Sequence, residues 1–440
     1  MDRKKLLIVG IGVLVVVVVL VLFFMKVLGD RVPAERATLE FWGTFDEPKL
    51  YRKIIDDYEA EHPLIDVVYK QYTFEDYEKA LLSGFAAGTG PDIWLMHNTW
   101  LPKHADKISP LPEVIAGSDD PLFTFKQFKD QFVDVAVADL TRDEKTIYAI
   151  PTYVDSLALY YNKDILNSAG ISVPPRTWED FVRAVDILTT QDDRNNITKS
   201  AAAIGTSRNI NRSTDLLMLL MLQSGVRMTN ADNTGASFSR PVDGINVGEL
   251  SLQFYTDFAN QAKPDRYTWN DQQQYSIDAF AEGNTAMMLN YSHHITTIRA
   301  RSPRLNFHVA PAPQPERAAF AVNFGNYWAP TVARESEHPE EAWKFLVHLA
   351  TSQATLDYLS ASDRPAARRD LIEAQRNDPD LGTYAVQALS ARSWYQADNT
   401  AIESIFAKMI DAVNFNRSSV KDALQEAENQ VSVIMERKNQ

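Results

Sequence analysis

Aromatic, polar and acidic side chains come directly after two short apolar segments near the start of the chain. Phe45 and Asp46 follow the segment that ends at Trp42, and a second such group follows residues 93–96. Both segments have the length and composition of buried strands in an α/β sheet. Because ligands of open α/β sheets bind beyond the carboxyl ends of the strands, these residues are the first candidates for a ligand-binding site.

The chain lacks the sequence motifs of the common catalytic and metal sites. It has no cysteine, which excludes disulfides, thiolate zinc sites, iron–sulfur clusters and a cysteine nucleophile, and it has no HExxH, GxSxG or P-loop motif. His293 and His294 are adjacent, but neighbours on a strand point to opposite faces and do not readily bind one metal ion. Residues 192–196 have the residue types of a calcium loop but lack its glycine and its terminal glutamate. We therefore expect no cofactor and no metal.

Length and charge limit the architecture and the partners. The chain has 440 residues, 45% of them hydrophobic and 23% charged, which is an ordinary globular composition too long for one small core. With 44 Lys and Arg against 58 Asp and Glu, the net charge is -14. Such a surface has no broad positive field, so nucleic acid is not an expected partner.

The N-terminus has the pattern of a membrane anchor. Residues 6–25 carry no charge, and as a helix they rise about 30 Å, the thickness of the hydrocarbon core. Arg3, Lys4 and Lys5 precede this stretch and favour a cytoplasmic N-terminus, which places the rest of the chain outside the cell membrane. A cleavable signal peptide is the alternative, although its apolar region is usually only about 7–15 residues long. Residues 30–37 are then a short polar linker.

Beyond the linker, short apolar strands alternate with amphipathic helices. Residues 38–43, 65–69 and 93–96 are predicted as strands. One helix is predicted to begin at Pro48, since proline is favoured in the first turn, and another to precede the third strand. This β-α-β-α-β opening is typical of an α/β domain.

At this level of detail the chain resembles a known family, the extracellular solute-binding proteins of ABC-type importers, and within it the sugar-binding group that includes maltose-binding protein. The matching segments follow the family's order over nearly the whole exterior chain. They are FWGTFDE, GTGPDIWLMHNTW, IPTYVDSLALYYNKDILNSAGI with PPRTWEDF, FAEGNTAMMLNY, FGNYWAPTV followed by EEAWKFL, and a late SWY.

The resemblance implies a two-lobe α/β fold with a hinge and a ligand cleft, preceded here by one transmembrane helix. Many such proteins from bacteria without an outer membrane carry a lipidated cysteine, which this chain lacks, so only the mode of attachment differs. The implied division is residues 1–29 as cytoplasmic tip and anchor, 30–37 as linker, 38–152 and 327–375 as lobe 1, and 153–326 and 376–440 as lobe 2.

The resemblance also implies a set of ligand-binding positions. A sugar presents hydroxyls at its edge and an apolar face, so its site needs aromatic rings together with carboxylates or amides. The charged pair usual in maltodextrin binders is replaced by Thr99 and Trp100, which implies a different ligand preference. The expected ligand-binding residues are Phe45, Asp46, Met96, Asn98, Thr99, Trp100, Asp155, His293, Tyr327, Trp394 and Tyr395.

Several of these positions have a second interpretation. Asp46 could cap the helix that begins at Pro48, and Asp155 could cap the segment that follows it. Asn98 and Thr99 could be simple turn residues. Tyr327 could be part of a packed hinge strand, and Trp394 with Tyr395 could serve in packing. These alternatives concern side-chain direction, which the residue pattern leaves open.

The sequence therefore predicts a monomeric, membrane-tethered receptor without catalytic activity. It would capture a sugar or oligosaccharide outside the cell and deliver it to the permease subunits of an ABC importer. Three alternatives remain: a secreted glycosidase, a ligand-sensing ectodomain, and a binding protein for a polyamine or other cation. The cation-binding alternative rests on the carboxylates of Asp46 and Asp155, which stand among aromatic residues.

Overall fold

The structure, a computed structural model, describes residues 36–115 and 120–439. The predicted membrane span at residues 6–25 and most of the linker lie outside the described residues. Within the two described ranges, no helix combines the length and the apolar character needed to cross a membrane.

Strands of the described chain form two main sheets and two smaller ones. The strands are β1 Ala37–Thr44, β2 Ile65–Tyr72, β3 Ile93–His97, β4 Thr141–Arg142, β5 Thr146–Ile147, β6 Asp155–Ser156, β7 Ala158–Asn162, β8 Thr190–Gln191, β9 Ile197–Ala203, β10 Thr285–Asn290, β11 Phe307–Ala310, β12 Asn323–Asn326, β13 Trp328–Val332 and β14 Ala391–Arg392.

Helices cover both main sheets. They are α1 Pro48–Glu61, α2 Phe74–Ala87, α3 Leu101–His104 with a 3₁₀ turn at Ala105–Lys107, α4 Phe125–Gln131, α5 Asp134–Leu140, α6 Lys163–Ser168, α7 Trp178–Leu188, α8 Ser213–Gln223, α9 Val247–Asp257, α10 Ser276–Ala281, α11 His294–Arg301, α12 Pro339–Thr351, α13 Gln353–Ser362, α14 Arg369–Gln375, α15 Gly382–Ala388, α16 Asn399–Asn414 and α17 Val420–Asn439.

Lobe 1 is built on a four-stranded sheet in the order β13-β3-β1-β2. The first three strands of the chain are parallel, and β13 returns late in the chain to pair antiparallel with β3. All five residues of β3 are buried, because helices cover both faces of the sheet. As predicted, α1 begins at Pro48, and its Ile54 and Tyr58 are buried against the sheet.

Lobe 2 is built on a five-stranded sheet in the order β11-β7-β10-β9-β8 with its own hydrophobic core. Thr177 caps α7, since its side chain accepts a hydrogen bond from the backbone N–H of Asp180 at the start of the helix. Helix α8 is buried on nearly all sides, which explains why its sequence is apolar without a polar face.

A small three-stranded sheet, in the order β14-β12-β6, lies where the chain crosses between the lobes. Strand β12 pairs with β6 through Gly325 and Ser156, and with β14 through Asn323 and Ala391. One residue after β12 the chain enters β13 of lobe 1. The crossing segments thus hold the two lobes side by side.

The adjacent histidines occupy a different element from the predicted strand. His294 is the first residue of α11, and His293 is its N-cap. The strand that precedes them, β10, ends at Asn290, because the chain turns before the helix. No group of three or more His, Asp or Glu in the described ranges is placed to hold a metal ion.

Candidate functional site

A cavity of about 350 Å³ lies between the two lobes, beyond the carboxyl end of β3. Lobe 1 contributes the residues after β3 and one face of α5. The opposite wall comes from the segment after β14 and from a loop of lobe 2. The lining residues are Asn98, Thr99, Pro102, Asp134, Val135, Ala138, Asp139, Asn233, Arg392, Ser393, Trp394, Tyr395 and Gln396.

Asp139 is the central polar group of this wall. Its carboxylate accepts hydrogen bonds from Asn98 Nδ2 at 2.9 Å, from the Tyr327 hydroxyl at 2.9 Å, and from the Ser393 hydroxyl. Burial raises the pKa of Asp139 to about 6, although these three hydrogen bonds oppose the shift. All three donors are neutral, and among the described residues Asp139 forms no ion pair.

The side-chain amide of Asn98 has a hydrogen-bond partner for its nitrogen but not for its oxygen. Its backbone N–H donates to the Tyr327 carbonyl oxygen at 3.0 Å, and its Nδ2 donates to Asp139. Its buried Oδ1 has no hydrogen-bond partner among the described residues. Because the ionised Asp139 can only accept hydrogen bonds, it holds the amide with Nδ2 toward itself and leaves Oδ1 for another donor.

His97 and Thr99 form a buried pair next to Asn98. His97 Nδ1 lies 2.8 Å from Thr99 Oγ1, and its Nε2 lies 3.3 Å from Asn326 Oδ1 on the crossing strand β12. Burial lowers the pKa of His97 to about 4, and the positive charge of Arg212 adds to the shift. The imidazole is therefore neutral at physiological pH, so it offers one donor and one acceptor.

The late aromatic pair borders the same cavity. Tyr395 is partly exposed there, whereas Trp394 is 8% exposed and also packs into the core of lobe 2. Trp394 Nε1 lies 3.4 Å from Met218 Sδ. Tyr395 thus has the more accessible ring, and Trp394 has both a packing role and an edge at the cavity.

A charged cluster closes the cleft next to this cavity. Arg212 pairs with Asp215 at 2.8 Å and with Glu403 at 3.1 Å. The space between this cluster and His97 is only about 10 Å³, the volume of about one water molecule. A sugar ring therefore does not fit at the cluster while the lobes are in this position.

Direct bonds join the two lobes beside the cavity. Trp100 Nε1 of lobe 1 donates to Asn399 Oδ1 at the start of α16, at 2.9 Å. Lys103 Nζ lies 2.7 Å from Glu78 of its own lobe and 3.3 Å from Asp398 of lobe 2. Trp100 was expected to bind ligand, and the structure places its polar atom in a contact between lobes.

Asp46, which is predicted to bind ligand, does not line the cavity. Its carboxylate pairs with Arg364 at 2.7 Å and accepts hydrogen bonds from the hydroxyls of Tyr358 at 2.9 Å and Tyr51 at 3.2 Å. It does not cap α1 either, because the N-cap is Glu47, which makes no side-chain capping bond. Asp46 is part of a buried ion pair within lobe 1.

Asp155 is likewise occupied by its own surroundings. Its carboxylate accepts the backbone N–H of Ser156 at 2.8 Å, and the backbone N–H and hydroxyl of Ser292 at 3.0 and 2.7 Å. His293 Nδ1 is 3.9 Å from the same carboxylate, and neither residue lines the cavity. Asp155 therefore joins a crossing strand to the loop before α11, and its role as a ligand carboxylate stays a prediction.

The remaining predicted residues lie in the core, directly behind the cavity wall, or on the surface. Met96 is fully buried within β3, and Tyr327 is buried with its hydroxyl on Asp139. Phe45 is 51% exposed with φ 69°, and it stacks on Phe74 at 5.5 Å between ring centroids. Of the eleven predicted residues, the structure brings Asn98, Thr99, Trp394 and Tyr395 to the cavity and Tyr327 directly behind it.

Sequence reasoning missed Asp139, Asp215 and Glu403. Asp139 lies on a short helix without any motif, and nothing in the sequence indicates that this helix faces the residues after β3. For Asp215 the sequence offered a signal, because this carboxylate stands directly before the apolar run of the buried helix α8 and a buried carboxylate needs a partner. Its partner Arg212 stands three residues earlier.

Comparison with known proteins shows the family of the chain. The family model of the bacterial extracellular solute-binding proteins matches residues 42–356. The multiple sugar-binding protein of Streptococcus mutans is 23% identical over 355 residues, 78% of each chain. The arabinooligosaccharide-binding protein of Halalkalibacterium halodurans is 30% identical over 168 residues, 36% of this chain and 35% of the relative.

A solved structure shows the same fold over nearly the full length. The sugar-binding protein MalE from Xanthomonas citri superposes with a TM-score of 0.76 at 21% sequence identity, covering 92% of this chain and 98% of the other. Since the family model covers most of the chain, and a neighbour of known structure shares its two lobes, the chain belongs to the bacterial extracellular solute-binding proteins.

Proposed function

We propose that this solute-binding protein captures a sugar or short oligosaccharide in the cavity between its lobes. The observation that carries the proposal is the cavity itself. Its volume of about 350 Å³ falls within the range of small-molecule sites. Its wall combines the aromatic rings of Trp394 and Tyr395 with the amide of Asn98 and the carboxylate of Asp139. Relatives with names that specify sugars support the same ligand class.

Binding is coupled to closure of the lobes. A ligand in the cavity contacts Asn98 of lobe 1 and Tyr395 of the opposite wall, so it binds the closed form more tightly than the open form. The population of closed protein then rises by that difference in affinity. The contacts of Trp100 with Asn399 and of Lys103 with Asp398 stabilise the closed form further, because both contacts join the two lobes.

Delivery to a transporter completes the proposed role. We propose that closure creates the surface that the permease subunits of an ABC importer bind, and that the monomeric receptor has no catalytic activity. The N-terminal segment would hold it at the cell membrane, with both lobes on the extracytoplasmic side. A tether of a few residues keeps the receptor near its transporter at a high effective concentration.

Ligand screening tests the proposal. Thermal unfolding of the exterior chain is followed with mono- and oligosaccharides and, as a non-sugar ligand, spermidine. A binding sugar raises the melting temperature in a concentration-dependent way and is recovered unchanged, whereas a glycosidase releases products. The polyamine alternative has lost its original support, since Asp46 and Asp155 are both engaged within the protein. If no saccharide shifts the melting temperature, the proposed function is wrong.

Tyr395→Ala is expected to weaken sugar binding about 10- to 100-fold. The substitution removes the more accessible aromatic ring of the cavity and leaves the core of lobe 2 intact, since Tyr395 only borders that core. Isothermal titration calorimetry with the best saccharide of the screen measures the change.

Tyr275→Ala is the matched control for this experiment. Tyr275 is a tyrosine of lobe 2 that is 41% exposed and contacts Asn211, outside the cavity. It should bind sugar with wild-type affinity. Equal affinities of the Tyr395 and Tyr275 variants would place the ligand elsewhere.

A further inference from the structure

The wall of the interlobe cavity has an excess of hydrogen-bond acceptors. Asp139 accepts hydrogen bonds from three donors, and only one of them, the Ser393 hydroxyl, reaches Oδ1. A carboxylate offers about four acceptor positions, so Oδ1 keeps one free. Asn98, which also lines the cavity, has a second acceptor in its buried Oδ1, which has no hydrogen-bond partner among the described residues. A ligand group with several donors matches this wall better than a single hydroxyl.

No Lys or Arg in the described part of the chain forms an ion pair with Asp139. Its hydrogen-bond donors are an amide and two hydroxyls. Two other charged groups line the cavity. Asp134 pairs with Arg369, and Arg392 donates to the carbonyl of Ala391 and keeps its positive charge, but neither of them forms an ion pair with Asp139. An enclosed carboxylate without a cation is costly, and that cost falls when a ligand brings the positive charge.

A primary ammonium group meets both conditions. It has three donors and no acceptor, and it carries the positive charge that Asp139 lacks. A neutral hydroxyl has one donor and no charge. An N-acetylated amine has one donor, no charge and an added carbonyl acceptor, which the acceptor-rich wall does not favour.

We propose that the cavity prefers a carbohydrate that carries a primary ammonium group, with that group bound between Asp139 and Asn98. This inference rests on the proposed sugar-binding function and narrows its ligand class to amino sugars. The rest of the sugar ring lies against Tyr395.

Matched ligand pairs test the proposal. Calorimetry at about pH 7 compares glucosamine with glucose, galactosamine with galactose, and a chitosan disaccharide with cellobiose, and N-acetylglucosamine and spermidine serve as separate probes. In at least one pair the amino sugar should bind about tenfold tighter or more, which is the usual effect of a hydrogen bond to a charged group. The N-acetylated sugar should bind no better than the neutral one.

Two variants assign the preference to Asp139. Asp139→Asn should abolish the difference within the pair. Asp130→Asn removes an equal charge from the adjacent helix α4, where the carboxylate is exposed and pairs with Lys126, and should keep the difference. The preference of the unmodified protein should also shrink as the pH falls below about 6, where Asp139 becomes protonated. This measurement needs no variant and covers the case that Asp139→Asn does not fold.

The possible failures are distinguishable. Neutral sugars that bind as tightly as their amino partners overturn the ammonium preference and leave the proposed function standing. An amino-sugar preference that survives Asp139→Asn also overturns it. Spermidine bound more tightly than every saccharide overturns the carbohydrate part, and a chain that binds no saccharide at all overturns the proposed function as well.

Discussion

Asp46→Ala is expected to lower the free energy of unfolding by about 3–5 kcal/mol, the usual cost of removing one partner of a buried ion pair. The side chains of Asp46 and Arg364 are only 5% and 14% exposed. Without the carboxylate, Arg364 keeps its position over the Tyr153 ring, at 4.2 Å, but loses its negative partner. Urea denaturation followed by tryptophan fluorescence measures the loss.

The neighbouring carboxylate is the control for this prediction. Glu47 pairs with Lys49, but their side chains are 60% and 76% exposed. Glu47→Ala should therefore change the stability by less than about 1 kcal/mol. Sugar affinity at low temperature should be unchanged in both variants. An Asp46 variant with normal stability and lost affinity would return this residue to the ligand site.

Asp139→Asn is expected to make the protein more stable at pH 7 by about 1–3 kcal/mol in the absence of ligand. The pKa of Asp139 is raised by burial from 3.8 to about 6 in the folded protein. The folded state therefore binds a proton more tightly than the unfolded state, and stability falls as the pH rises through the range between these two values. The value of about 3 kcal/mol is an upper limit, because the carboxylate is partly exposed to the cavity and the ionised form is therefore less costly there.

The pH profile separates this effect from a general change in packing. Below about pH 4 Asp139 is protonated in both states, so the variant should lose its advantage there. Urea midpoints from pH 3.5 to 7.5 for the two proteins should diverge as the pH rises. Profiles that run parallel would show that the ionised carboxylate costs the folded protein nothing.

The two predictions assign opposite effects on stability to two carboxylates, and both effects follow from the partners that the fold gives them. Asp46 is stabilising because it has Arg364, whereas Asp139 is destabilising because it has only neutral donors. A group that costs stability and lies at a cavity is typical of a ligand site, where the bound ligand offsets the cost. This contrast makes Asp139 the stronger candidate for ligand contact.

Local patterns in the sequence were sufficient to determine several elements of the fold. The helix beginning at Pro48, the cap at Thr177, the buried strand β3 and the helix beginning at Pro339 all follow from apolar periodicity and capping, which act over a few residues. The order of the family's segments then indicated two lobes. Asn98 and Thr99 were identified because the carboxyl end of a strand is a local feature.

Only the tertiary structure decided which carboxylates are free to bind a ligand. By residue type, Asp46 and Asp155 are both available to bind a ligand. In the structure Asp46 pairs with Arg364 and Tyr358, which are 318 and 312 positions later in the chain, and Asp155 accepts hydrogen bonds from Ser292 in the loop before α11. Asp139 lies at the cavity among Asn98, Tyr327 and Ser393, which come from three separate parts of the chain. The partners of a side chain come from distant parts of the chain. These partners, and not the residue type, decide whether a buried charge stabilises the fold or is left without a partner that a ligand could supply.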